Sequence, residues 1–472
     1  MTSRVILGVT GVWAATAVTP AWAAPAGGLG ELLPVWSCLP FAGMLLSIAL
    51  WPVLAPRFWH AHYGKVAAGW AVALAVPFLA AYGEPALHEM LHTVGGDYLP
   101  FMILIVSLYT VSGGILLSGR LRGTPGVNLA LLAAGTALAS VMGTTGASML
   151  MIRPLLRANR HRPQRTHLVV FFIFLVANVG GCLTPLGDPP LFLGFLHGVP
   201  FFWTLRLLPE ALLVVGILLA ACYVIDRRCY LREPTAAPAG EGRLRVEGVY
   251  NFFFLAGIAG AVLVSGAAAW GEVTVLGVPR ALAGLVRDGL LILMGLLSMA
   301  ATPIELRERN GFSWAPVIEV GYLFIGIFVT MIPCLLILKA GSHGVLAGLI
   351  DAVQRPYHYF WAAGVLSAFL DNAPTYLTFF STALGRHFPG VAETVSVPLL
   401  LDSYSVHLKA IAAGAVFFGA CSYIGNAPNF MVRSIAEEAG TPMPTFFGYI
   451  LRYTLVFLVP AFAIVTWVFF TP

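Results

Sequence analysis

Charge is what this sequence has least of. Only 10% of its 472 residues are Asp, Glu, Lys or Arg, and 59% are hydrophobic; soluble domains are about a quarter charged. Mean hydropathy is +0.86. A soluble fold of this length could not cover its surface with so few charges, which excludes a soluble enzyme, a nucleic-acid binder and a disordered chain. Lysine is scarcer still, with only Lys65, Lys339 and Lys409, so arginine supplies the basic loops. The six cysteines form no CxxC pair and no metal spacing, and most sit in apolar runs as small buried hydrophobes. No G-x-x-x-x-G-K-[ST] loop is present, so nothing supports ATP drive within the chain. The apolar runs are continuous rather than alternating, which argues against an outer-membrane barrel. What remains is an all-α polytopic membrane protein.

The first 24 residues read as a signal peptide. Arg4 precedes an apolar stretch from Val5 to Val18, and Ala21-Trp22-Ala23 gives a small-x-small cleavage pattern; an uncleaved first span is the alternative. Apolar runs follow near 32–54, 66–82, 99–118, 126–152, 168–198 and 207–225. Residues 226–247, with Arg227, Arg228, Arg232, Arg243 and Arg245, read as a cytoplasmic linker between residues 25–225 and a second half at 248–472. The second set of runs lies near 248–269, 288–303, 315–338, 357–385, 405–430 and 446–470.

The positive-inside rule orients these runs. Arg57 and Lys65 place the first loop inside; Gly83 to Tyr98 has Glu84, Glu89 and Asp97 but no Lys or Arg, and reads as an outer loop. Segment 126–152 then has basic clusters at both ends, Arg120 and Arg122 before it and Arg153, Arg157, Arg160, Arg162 and Arg165 after it. A single span cannot begin and end on one side. A re-entrant hairpin can, with Gly143-Thr144-Thr145-Gly146 as its tip. The same count makes 357–385 a hairpin entering from the outside, with its tip at Asp371-Asn372-Ala373-Pro374. Each half then has three spans, a hairpin, a broken helix and a final span. An odd number of crossings per half turns the second copy upside down, an inverted-topology repeat. The expected location is a bacterial-type cytoplasmic membrane.

The repeat is visible in the letters. Gly181-Cys182-Leu183-Thr184-Pro185-Leu186-Gly187-Asp188-Pro189-Pro190 aligns without gaps to Gly419-Ala420-Cys421-Ser422-Tyr423-Ile424-Gly425-Asn426-Ala427-Pro428. The shared pattern is G-x-x-[TS]-x-[LI]-G-[DN]-x-P. Gly and Pro within a span break the helix, and the freed backbone groups need partners in lipid. Discontinuous transporter helices use such groups and nearby oxygens to hold ions near the midplane. Two hairpin tips and two broken helices around a pseudo-two-fold axis would bring Asp188, Asp371, Asn372, Asn426, Thr144, Thr145, Thr184, Ser422 and Thr375 together, with Gly187 and Gly425 shaping the backbone. Hard cations favour oxygens of these kinds.

Intramembrane carboxylates are costly and mark ion pathways, so Asp188 and Asp371 carry the functional reading. Glu210, after Pro209 at a span start, reads as interfacial, and Glu319 as interfacial or functional. Asp402, His407 and Lys409 read as an outer vestibule or snorkelling group, and His197 as a packed histidine.

At Thr184-Pro185-Leu186-Gly187-Asp188-Pro189-Pro190 and Tyr423-Ile424-Gly425-Asn426-Ala427-Pro428-Asn429-Phe430 the chain resembles the ion-transporter superfamily. It is most similar to the citrate-transporter-like branch whose members are commonly called sodium:proton antiporters. Gly143-Thr144-Thr145-Gly146-Ala147-Ser148-Met149 and Phe369-Leu370-Asp371-Asn372-Ala373-Pro374-Thr375 fit the same branch. The resemblance implies scaffold and transport regions, an elevator-like movement, a homodimer, and no resident cofactor beyond transported Na+ and H+. Dicarboxylate carriers of the superfamily resemble one another in Ser-Asn-Thr hairpin tips. Here the tips read Thr-Thr-Gly-Ala and Asp-Asn-Ala-Pro, and an aspartate repels a dianion while attracting a cation.

The expected activity is therefore Na+/H+ antiport, with both ions competing for Asp371 and Asp188. The alternative is cation-coupled uptake of citrate or another organic anion. A metalloid exporter is a further alternative. An intramembrane aspartyl protease is disfavoured, because Pro185 occupies the first glycine of G-x-G-D. The partners expected are the lipid bilayer and a small inorganic cation, with no nucleic acid.

Overall fold

The computed structural model describes residues 28–119, 121–233, 245–275 and 277–471. The expected signal peptide, Arg120 and most of the linker lie outside the described residues. Among the described residues, eight helices are long and apolar enough to cross a membrane, and a pair bent by 96° brings the number to nine. The chain is an all-α polytopic membrane protein. Two short antiparallel ribbons accompany the helices: β1 (Leu116–Ser118) pairs with β2 (Arg245–Glu247), and β3 (Glu272–Val275) with β4 (Val278–Ala281).

The chain enters through α1 (Leu39–Leu54) and α2 (Pro56–His92). The expected outer loop at Gly83 to Tyr98 is instead helical. The helix kinks at Gly83 (φ 54°), continues to His92, and turns through Thr93–Tyr98 into α3 (Leu99–Gly113). Its charges resemble those of a loop, but Ala86 is buried in a cluster with Leu33, Leu74, Phe78 and Ile332. That apolar contact keeps the arm folded back on the protein.

The first hairpin is α4 (Pro125–Met142) and α5 (Thr144–Ala158), longer than the expected 126–152. Its ends meet. Gly123 N donates to Ala158 O at 3.1 Å, and the Asn128 and Asn159 amides bond reciprocally at 3.0 and 2.7 Å. Between the arms lies Gly143 at φ 80°, ψ 150°, a left-handed conformation that a side chain would strain. The second hairpin is α14 (Pro356–Phe369) and α15 (Asn372–His387), joined through Leu370 and Asp371.

Each hairpin is followed by a broken helix. The first comprises α6 (Thr166–Leu175), an unwound stretch and α7 (Pro189–Leu196); the second comprises α17 (Ser405–Phe418), an unwound stretch and α18 (Ala427–Glu438). The two unwound stretches repeat in backbone as well as in letters. Thr184 and Ser422 have φ −143° and −142°, and Asp188 and Asn426 have ψ 138° and 139°. Thr184 Oγ1 donates to Ser140 O in the first hairpin, and Ser422 Oγ donates to Ala368 O in the second. Each hydroxyl also accepts from the amide two residues on, Leu186 at 3.2 Å and Ile424 at 3.1 Å. A Cβ on Gly187 would lie 2.2 Å from Gly181 O, and one on Gly425 2.7 Å from Gly419 O, so glycine closes both loops.

The long helix α8 (Leu208–Arg232) gives a ruler between the two ends of the molecule. It runs past residue 225 into the expected linker, because Asp226 is buried against Arg162 at 2.7 Å and receives Asn128 Nδ2 at 2.8 Å. The open end of the first hairpin is thus fixed near its C-terminus. Near its N-terminus, Glu210 pairs with Lys409 of α17. Two residues before Lys409 on that helix, His407 packs its ring on Tyr359 and His387, from the two arms of the second hairpin. Glu210 and Asp226 stand about 24 Å apart along the helix. The two hairpins therefore open toward opposite ends of α8.

The remaining helices are α9 (Asn251–Ala267), α10 (Leu282–Ala301), the short α11 (Ile304–Arg309), α12 (Ala315–Lys339), the short α13 (Ala347–Ala352) and α16 (Glu393–Ser403), with Phe446–Phe470 closing the chain. Arg309 joins the second ribbon strand through a bidentate pair with Glu247 at 2.7 and 2.9 Å.

Candidate functional site

Four helices begin at one place: α5 at Thr144, α7 at Pro189, α15 at Asn372 and α18 at Ala427. Pro189 and Pro428 at the helix starts, and Gly143 before Thr144, set these breaks. Each N-terminus carries up to about half an elementary charge of positive potential.

Asp188 stands at their junction and is 1% exposed. Its Oδ1 accepts from Thr144 Oγ1 at 3.3 Å and from Asn426 Nδ2 at 3.2 Å; its Oδ2 accepts from Asn372 Nδ2 at 2.5 Å. Thr144 N also donates to Gly187 O at 2.9 Å. One carboxylate therefore ties together both hairpin tips and both unwound segments, the four motifs singled out in the sequence.

Asp371 occupies a different position. It caps α15, its Oδ1 accepting from Ala373 N at 3.1 Å, while its own carbonyl accepts from Thr375 Oγ1 at 3.1 Å. Asp371 and Asp188 do not bond to each other. They line one cavity, which Thr144, Thr145, Gly187 and Asn426 also line. The cavity encloses about 640 Å³ free of protein atoms, part of it open to the surface. Its far wall is apolar, made by Phe101, Leu104 and Leu108 of α3 and by Val320 and Phe324 of α12. Among the described residues, no Lys, Arg or His lines it.

The structure brings Asp188, Asp371, Asn372, Asn426, Thr144, Thr145 and Gly187 to this junction. Thr184, Ser422 and Thr375 are not brought to the cavity as ligands: their hydroxyls donate to the carbonyls of Ser140, Ala368 and Asp371 and brace the loops. Gly425 packs against Gly419 and Ser367 rather than facing the cavity. Asn372 is wholly buried, and its Oδ1 has no partner.

Other sequence expectations need correction. Glu210 is 0% exposed and paired with Lys409, so neither residue is a free interfacial group. An ionised side chain this deep needs a counter-charge. His197 is not simply packed: its Nδ1 lies 2.7 Å from Glu393, which also holds Lys339 Nζ at 2.7 Å, and its Nε2 lies 3.4 Å from Asp97. Sequence reasoning missed Asn178 as a site residue and left Asn429 within a motif without a role. Both are buried at the junction, where Asn178 Nδ2 donates to Asn429 Oδ1 at 2.7 Å.

Residues 30–470 match the model of a protein family described as "Putative citrate transport". An uncharacterized transporter of Mycobacterium bovis is 28% identical over 382 residues, covering 75% of this chain and 81% of that protein. An uncharacterized transporter of Mycobacterium tuberculosis matches with the same figures. A 46 kDa membrane protein of Mycobacterium leprae is 24% identical over 367 residues, covering 75% of this chain and 81% of its own length. The broken helices, the hairpins and a match across nearly the whole chain lead to one assignment: this is a secondary transporter, and the chain belongs to the citrate-transport family.

Proposed function

We propose that this transporter exchanges Na+ for H+ at Asp371 and Asp188. One observation carries the reading: two carboxylates line a single intramembrane cavity that has no basic side chain on its described walls. Buried negative charge needs a counter-charge, and here only a mobile one, a proton or a metal cation, is at hand. Asp188 is held by three donors and acts as the fixed charge. Asp371 takes only one backbone amide through its side chain, and it alternates between Na+ and H+. Binding of one excludes the other, which couples the two flows. Thr145 and Asn426 border the same space and complete an oxygen shell with the carboxylates.

The two halves serve as inverted repeats in this reading, supported by hairpins that open toward opposite ends of α8 and by unwound segments of matching dihedral angle. The arginine-rich end faces the cytoplasm in a bacterial-type inner membrane. Asp371→Asn is expected to abolish Na+-dependent proton flux in everted vesicles, and full exchange in that variant would refute the assignment.

A second reading, cation-coupled citrate uptake, is favoured by the four helix N-termini around the cavity, which attract carboxylates, and by the family's description. Radiolabelled citrate uptake into proteoliposomes, with and without a Na+ gradient, separates the two.

A further inference from the structure

Beneath Asp188, three buried amides form a chain whose orientation is fixed by its ends. Asn429 Nδ2 donates to two backbone carbonyls, Gly419 O and Ser422 O, both at 2.8 Å. Carbonyls only accept, so the NH2 of Asn429 must face them and its Oδ1 must face away. That Oδ1 accepts from Asn178 Nδ2 at 2.7 Å, whose second donor goes to Ile173 O at 2.8 Å. Both N–H groups of Asn178 are thereby engaged, and its Oδ1 is presented to Asn426. Asn426 Nδ2 meets acceptors on one flank: Asn178 Oδ1 at 3.2 Å, Ala177 O at 3.1 Å and Asp188 Oδ1 at 3.2 Å. Its Oδ1 takes the other flank, and Asn426 is one of the residues that line the cavity.

The chain crosses between the halves and occurs once. Asn178 lies in the first half and Asn426 and Asn429 in the second. The alignment offset that superposes Asp188 on Asn426 places Val416 opposite Asn178 and Leu191 opposite Asn429. All three amides are at most 2% exposed, so water is not at hand to replace a lost partner.

We propose that Asn178 and Asn429 are positioning residues that lock the Asn426 amide with its oxygen, not its NH2, toward the cavity, making that oxygen a ligand for the transported cation. The inference rests on the cation-exchange reading above. A hard cation binds a carbonyl oxygen and is repelled by an amide NH2. The orientation of one side chain therefore changes affinity without altering the carboxylates. Asn178→Leu removes one of the three acceptors that hold the Asn426 NH2 and the one that ties it to Asn429, and Asn178→Ser leaves a hydroxyl too short to bridge Asn426 and Asn429.

Two measurements test this on the full chain: the Na+ concentration dependence of proton flux in everted vesicles, and the Na+-dependent rise in melting temperature of the purified protein in detergent. In both variants the half-saturating Na+ concentration should rise about fivefold or more, with maximal flux changed by less than about twofold, as for one lost ligand-orienting bond. Unchanged Na+ dependence in a monodisperse variant overturns the proposal. So does a loss confined to maximal flux, or failure of both variants to fold, since each would assign the amides to structure alone. Asp371→Asn run in parallel keeps the outcomes apart. If it abolishes exchange while the Asn178 variants keep wild-type Na+ dependence, the relay fails and the exchange reading stands. If it leaves exchange intact, the exchange reading itself fails.

Discussion

Asp188→Ala and Asp188→Asn should separate the structural work of this carboxylate from its charge. Its oxygens receive Thr144 Oγ1, Asn426 Nδ2 and Asn372 Nδ2, all from buried residues. Alanine leaves Asn372 Nδ2 without its acceptor. The Thr144 hydroxyl can rotate, and Asn426 Nδ2 keeps Asn178 Oδ1 and Ala177 O. One orphaned buried donor costs about 1–3 kcal/mol. That is a measurable part of a net stability of about 5–15 kcal/mol. Asparagine behaves differently. Its oxygen can serve Thr144 and Asn426, and its NH2 then faces Asn372, whose unpartnered oxygen can turn to accept. All three contacts survive, and stability should stay within about 1 kcal/mol of wild type. Exchange should be lost in both variants, because both lose the charge. Thermal or denaturant unfolding in mild detergent reads the first quantity, and Na+-driven proton flux in everted vesicles reads the second. An alanine variant as stable as the asparagine variant would refute the hydrogen-bond argument. Full exchange by Asp188→Asn would refute the electrostatic one.

The buried Glu210–Lys409 pair gives a second test. Lys409→Met strands a carboxylate that is 0% exposed and should cost about 3 kcal/mol, whereas Glu210→Met with Lys409→Met should recover most of that; additive losses in a double-mutant cycle would refute the pairing. Gly425→Ala would place a Cβ 2.7 Å from Gly419 O and 2.8 Å from Ser367 O, a backbone clash worth about 1–3 kcal/mol. Gly216→Ala on α8 meets nothing within 4 Å and should be neutral or stabilising by up to about 1 kcal/mol; equal melting temperatures for the two variants would contradict the close packing of the unwound loop. Outside the membrane, Arg309 holds the Glu247 carboxyl down at about 2, against an ordinary value of 4.5. A depressed carboxylate stabilises the fold above 4.5 and loses that contribution as pH falls toward 2. The small melting difference between wild type and Glu247→Gln should therefore be constant at neutral pH and vanish over that interval, as for an exposed pair.

The parts of the fold that charge placement dictates were legible from the chain. Basic clusters on both sides of residues 126–152 require a return to the same side, and the reciprocal Asn128–Asn159 amides show that return. The broken helices were legible because Gly and Pro interrupt two apolar runs at matching positions. The helical arm after Gly83 was not. Its Glu84, Pro85 and Glu89 look like a loop, and what holds it in place is burial of Ala86 beside Ile332, a contact spanning much of the sequence. The β1–β2 ribbon escaped for the same reason, since Leu116–Ser118 and Arg245–Glu247 are three residues each and far apart in the chain. Strands this short carry too little periodicity to stand out.

The site was legible to the extent that its two halves agree, and obscure where they differ. The shared pattern located Asp188 and Asn426, and the charge-based topology located both hairpin tips. It also led to treating Thr184 and Ser422 as ligands, because a hydroxyl at the same place in both copies looks like shared chemistry. What the structure shows at both is shared architecture: each pins an unwound loop to the carbonyl of a hairpin. The positions that break the symmetry gather at the same junction. Aspartate faces asparagine at 188 and 426, asparagine faces valine at 178 and 416, and leucine faces asparagine at 191 and 429. Three polar residues stand where the other copy keeps an apolar or uncharged one, and they are connected: Asn429 bonds to Asn178, Asn178 to Asn426, and Asn426 to Asp188 Oδ1. A buried polar group is retained only if its hydrogen bonds are met. Such mismatches between repeats must therefore come in connected sets, and comparing the halves for what they fail to share is the sequence signal that would have found Asn178 and Asn429.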